Sequence, residues 1–112
     1  MAVFIDSCVF VAYANPDDSC HKEAEKTVTD IVMGKYGPAF TSDYVFDETV
    51  TVVLARMKDT RKSTEFGRYL LSSEATMLWV DEIIFRQAWA IFEGDNPGRM
   101  SFTDCTTSSI RT

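Results

Sequence analysis

Three acidic residues, Asp6, Glu48 and Asp104, stand where a carboxylate is costly unless something pairs with it. Asp6 closes the apolar run Val3-Phe4-Ile5 and precedes a second apolar stretch, so its charge must be capped, paired or matched by a cation. As the N-cap of a following helix it would satisfy a free backbone N–H, and a cap can also be a ligand. At helical spacing Glu48 shares a stripe with Tyr44, Val45, Val52 and Ala55, whereas Asp43 and Asp47 fall outside it. An acid in such a stripe either meets a hydrogen-bond or salt-bridge partner from elsewhere in the fold, or it holds a cation. Asp104, in Ser101-Phe102-Thr103-Asp104, is close to a capping-box pattern and gains chemical meaning only beside the other two. Three converging carboxylates repel one another unless a cation neutralises them. Oxygen ligands without His or Cys suit Mg²⁺ or Mn²⁺ rather than zinc. Such a cation with open water positions serves phosphodiester cleavage.

The elements that must position these acids alternate between strand and helix. Ala2–Ile5 reads as a short strand ending at Asp6, and Cys8–Ala14 as the start of a buried helix. Asn15-Pro16-Asp17-Asp18 is a turn by composition, followed by an amphipathic helix over Ser19–Met33 that Gly34 stops. Pro38–Thr41 is a second strand. In Ser42–Met57 the β-branched Thr49–Val53 suits a strand, but the helical flanks and the length decide for a helix. Ser63–Leu71 is a further helix and Thr76–Val80 a third strand. Asp81 caps a helix to about Glu93, where Ile84, Ala88, Ile91 and Phe92 share a face with Phe85 and Trp89 beside it. The loop Glu93–Gly98 leads to a last helix opened by Ser101. This order predicts an α/β layer architecture on a parallel sheet. In such sheets ligands bind beyond the carboxyl ends of the strands, where Asp6 sits.

At 112 residues the chain is of one-domain length. No apolar run approaches a membrane span, and the N-terminus, with Asp6 in its middle, is a poor signal peptide. Cys8, Cys20 and Cys105 form no metal-ligand spacing, and reduced thiols in a cytoplasmic protein are the simplest reading. The net charge of −6 argues against a broad non-specific nucleic-acid binder, though not against an enzyme that meets phosphates through a cation. Arg56, Lys58, Arg61, Lys62 and Arg68 form the one basic cluster, which is either a solvated face or a substrate-facing patch. Trp79, Phe85, Trp89 and Phe92 are expected in the core rather than as base-stacking platforms.

The segments Phe4-Ile5-Asp6-Ser7, Thr41–Thr49 and Ser101-Phe102-Thr103-Asp104-Cys105 resemble, in order and spacing, three signature segments of PIN domains, nearest to small prokaryotic VapC-like toxins. The resemblance implies a three-layer α/β/α fold with a central parallel sheet and a metal-dependent endoribonuclease, the toxin of a toxin–antitoxin pair. Asp6, Glu48 and Asp104 would hold Mg²⁺ or Mn²⁺, with Ser7 and Thr103 supplying hydroxyls beside them. The partners implied are an RNA substrate and an antitoxin protein that inserts into the acidic groove. His21, the only histidine, is expected to position a helix rather than act as a base. Domains of this type continue past the third acid through a further strand to a fourth acidic residue, and this sequence stops at Thr112. The expectation is therefore a single domain over residues 1–112, short at its C-terminus, with impaired activity and an open flank covered by self-association or a partner. The alternative is a catalytically silent PIN-like module that binds protein or RNA.

Overall fold

The structure, a computed structural model, describes residues 1–96 and 98–111, the side chain of Arg111 excepted. Three short strands, β1 (Val3–Phe4), β2 (Ala39–Ser42) and β3 (Thr76–Leu78), form one parallel sheet in the order β1-β2-β3. Parallel neighbours need long crossovers, and each is a helix pair. Helices α1 (Ser7–Ala14) and α2 (His21–Val32) join β1 to β2, and α3 (Asp43–Met57) and α4 (Thr60–Ser72) join β2 to β3. After β3 come α5 (Glu82–Glu93) and α6 (Phe102–Arg111). Helices α1 to α4 pack on one another, while α5 and α6 pack together and α6 meets the rest at α3. Pro97 of the expected Glu93–Gly98 loop, and Thr112, lie outside the described residues.

Register follows from bonds at the strand ends. Val3 pairs with Ala39 and Phe4 with Phe40, and Phe40, Thr41 and Ser42 pair with Thr76, Met77 and Leu78. Strand β2 runs one residue later than the sequence suggests at both ends. Pro38 has no N–H to give the ladder, although its carbonyl accepts from Val3 N at 3.0 Å. Strand β3 stops two residues early because Val80 N donates to the Asp43 carboxylate at 2.9 Å. Helix α4 starts three residues earlier than expected, since Asp59 caps it through Lys62 N at 3.2 Å.

The apolar centre is built from Ile5, Phe10, Val45 and Leu70, with Phe4, Phe46 and Phe66 packed around it. The β-branched run of α3 is a helix because Val45, Thr49 and Val53 bury completely at i, i+4 and i+8. Thr49 places its hydroxyl on the Val45 carbonyl at 2.7 Å, which removes the cost of burying it. Ser42, fully buried, caps α3 through Val45 N at 3.2 Å. Ser42→Ala should cost about 1–2 kcal/mol, because the cap is lost where no water can replace it; an unchanged denaturant midpoint would refute this.

One expectation fails. Trp79, Phe85, Trp89 and Phe92 are not core: their exposures are 69%, 46%, 49% and 41%. In α5 only Ala88 is fully buried, because among the described residues α5 packs chiefly against α6 and its other side stays exposed. The helical period marked an apolar face correctly but carried no information on how deep its partner would be.

Candidate active site

Strand β1 delivers Asp6 to its carboxyl end. Ile5 N donates to the Phe40 carbonyl at 2.8 Å, and the buried Thr41 hydroxyl donates to the Ile5 carbonyl at 3.0 Å, so β2 holds both the N–H and the C=O of the residue before Asp6. Asp6 caps α1: its Oδ1 accepts from Ser7 N at 2.8 Å. The next side chain crosses to the neighbouring crossover. Ser7 Oγ donates to Glu48 Oε1 at 2.9 Å, joining α1 to α3 across 41 residues of sequence. Glu48 is half-buried and borders the stripe Val45–Thr49–Val53 rather than sitting at its centre, with Ala55 of the expected stripe exposed. The partner that the sequence left unnamed is the hydroxyl of Ser7.

Asp104 lies in the first turn of α6. Ser101 Oγ accepts from Asp104 N at 3.1 Å, and Asp104 Oδ2 accepts from Ser101 N at 3.4 Å, which is a capping box with Asp in the acidic position. The cap thus belongs to Ser101, and the Thr103 hydroxyl makes no hydrogen bond among the described residues. Phe102 anchors this end of α6, with its ring 5.1 Å from Phe85 and 6.0 Å from both Phe92 and Tyr44. Cys8 feels the charge of Asp104 as well as that of Asp6. Its thiol pKa is raised by burial first and then by the charges of Asp6 and of Asp104, so both carboxylates lie within electrostatic reach of one sulfur. Cys105, fully buried, is also pushed up, by burial and then by Asp104, and is a packing residue. All three cysteines are free.

Ser7 thus links Asp6, through its N–H, to Glu48, through its hydroxyl, while Asp104 is tied to this neighbourhood by its charge alone, felt at Cys8. Among the described residues none of the three forms an ion pair with a Lys, Arg or His. Nor does any group of three His, Cys, Asp or Glu there draw close enough to be a ready-made metal cluster. The carboxylate and hydroxyl oxygens of Asp6, Glu48 and Ser7 suit a hard divalent cation and not a thiophilic ion.

The basic cluster divides. Arg56 lines a groove of about 310 Å³ together with Ser7 and Glu48. Lys62 lines a separate groove with Phe66 and Tyr69. Lys58 takes the left-handed conformation that ends α3, with φ 53°, and it and Arg61 are exposed at that corner. His21 is structural, as expected: its Nδ1–H donates to the Ala12 carbonyl at 2.8 Å and pins α2 to α1.

The profile of the PIN domain matches residues 3–109. This chain belongs to the PIN domain family. It is 26% identical over 93 residues to a VapC ribonuclease of Archaeoglobus fulgidus, a match covering 83% of this chain and 58% of that protein. The chain thus spans little more than half the length of this curated relative. Its fold is that of a solved PIN structure, the VapC20 toxin of Mycobacterium tuberculosis, described as cleaving the sarcin-ricin loop. The two superpose with a TM-score of 0.84 at 24% sequence identity, covering 98% of this chain and 80% of that one. The PIN assignment accounts for the α/β architecture on a parallel sheet. No helix among the described residues is long and apolar enough to cross a membrane.

Proposed function

We propose that this PIN domain is a metal-dependent endoribonuclease of the VapC type, the toxin of a toxin–antitoxin pair acting in the cytoplasm. The observation that carries it is the Ser7–Glu48 hydrogen bond beside Asp6, at the carboxyl end of β1. Asp6, Glu48 and Asp104 would hold Mg²⁺ or Mn²⁺, which when bound supplies charge neutralisation at phosphate oxygens and acidifies water. The chain itself does the positioning. Ser7 fixes one Glu48 oxygen, and Thr41 and Phe40 fix the backbone at Asp6. The capping box fixes Asp104, and the Thr103 hydroxyl is left available beside it. RNA is the substrate in this reading, and an antitoxin is the protein partner that would cover the acids.

The test is incubation of a structured RNA with the protein in Mn²⁺, in Mg²⁺ and in EDTA. Cleavage in either metal and none in EDTA is expected. Calorimetry should show Mn²⁺ binding that also raises Tm, because a ligand of the native state alone stabilises it. A protein that neither binds Mn²⁺ nor cuts RNA would overturn the reading and leave a silent binding module.

A further inference from the structure

The groove beside the acids has a second end. Along α3, Arg56 follows Glu48 by eight residues, about 12 Å of helix rise. Helical side chains lean toward the N-terminus of their helix, so the Arg56 stem leans back toward Glu48. Its guanidinium lies 4.0 Å from Asp18 Oδ2, and both residues line the groove that Ser7 and Glu48 line. Asp18 is itself held in place: its Oδ1 accepts from Cys20 N at 2.8 Å, and its backbone carbonyl accepts from His21 N at 3.0 Å. The α1–α2 turn therefore presents a fixed carboxylate to Arg56. Between the two ends the groove is lined by Val11 and Val52, which offer no competing charge.

Resting on the nuclease reading above, we infer that Arg56 is the phosphate clamp for the nucleotide next to the one cut, and that Asp18 stations its guanidinium in the groove. The chemistry suits the role. A guanidinium offers paired N–H donors matching two phosphate oxygens, and it stays charged at any physiological pH. The 4.0 Å pair is loose and Arg56 is exposed, so a phosphate can take the guanidinium from Asp18 without an unpaired charge being buried. A groove with acids at one end and a cation at the other also orients the strand. The scissile phosphate goes to the end that accepts a metal ion, and its neighbour to the end that supplies positive charge directly. Lys58, Arg61 and Lys62 have no such place, since none of them lines this groove.

The measurement is binding of a single-stranded oligouridylate, followed by fluorescence anisotropy in EDTA across a salt series. Arg56→Ala should weaken binding about tenfold, the loss expected of one charge-assisted phosphate contact. It should also lower the slope of log affinity against log salt by about 0.7. Arg56→Lys should keep most of the slope. Asp18→Asn retains the acceptor for Cys20 N but stops competing for Arg56, so it should tighten binding about two- to fivefold. Its effect should vanish when Arg56 is already Ala. Affinity and slope unchanged in Arg56→Ala, or equal losses in Lys58→Ala and Lys62→Ala, would overturn the clamp. A parent that binds through Arg56 yet never cuts RNA with metal would overturn the nuclease reading and leave Arg56 as a phosphate contact of a binding groove. A parent that cuts while Arg56→Ala binds normally would do the reverse.

Discussion

Glu48→Gln is expected to reduce metal-dependent RNA cleavage at least about a hundredfold, the scale seen when one preorganised electrostatic partner is removed from an active site. Gln keeps the size of the side chain and still offers an amide oxygen to Ser7, so the α1–α3 bridge at 2.9 Å can persist. What is lost is the negative charge. Because the parent acids have no cationic partner among the described residues, removing one charge relieves repulsion, and Tm without metal should be unchanged or slightly higher. Asp47→Asn is the control, since Asp47 is the exposed neighbour on the same helix. Cleavage by Glu48→Gln within about twofold of the parent, against the electrostatic expectation, would remove Glu48 from the site.

Leu70→Ala should carry the largest stability loss of a single truncation. Leu70 is 3% exposed within the cluster of Ile5, Phe10 and Val45, and its neighbour Leu71 is 63% exposed. Truncating the buried leucine should cost about 2–5 kcal/mol, from lost transfer energy and the cavity left behind. In a chain of this size that lowers Tm by about 8 °C or more. Leu71→Ala should stay within about 0.5 kcal/mol. Equal effects of the two on the denaturant midpoint would show that α4 does not bury the face described.

The strand–helix order and the place of Asp6 were legible because both rest on local patterns. An apolar triplet ending in an acid, a turn at Asn15–Asp18 and a stop at Gly34 are each decided by neighbours in sequence. The helix at Ser42–Met57 was legible against its β-branched residues because length and flanks outweighed propensity. Long-range facts were not legible. Nothing in Ser7 or Glu48 alone names the other as its partner across 41 residues. The separation of Arg56 from Lys62 depends on a left-handed turn at Lys58, a conformation uncommon for a lysine. The exposed aromatics of α5 were misjudged because a periodic apolar face looks alike whether or not a further layer covers it.

Helix α6 holds the third acid on unusual material. Five of its ten residues, Thr103, Thr106, Thr107, Ser108 and Ser109, are hydroxylic, and such residues have low intrinsic helix propensity. Thr106 and Thr107 turn their hydroxyls back onto the Thr103 carbonyl at 2.6 and 3.2 Å, a pattern that loosens helices. The buried Ser109 hydroxyl finds no partner among the described residues, a further local cost. Segments with these traits open while the rest of a domain stays closed. The amide protons of α6 should therefore exchange with deuterium sooner than those of α3. On warming, Asp104 would leave first, and heat inactivation would run ahead of the melting of the domain.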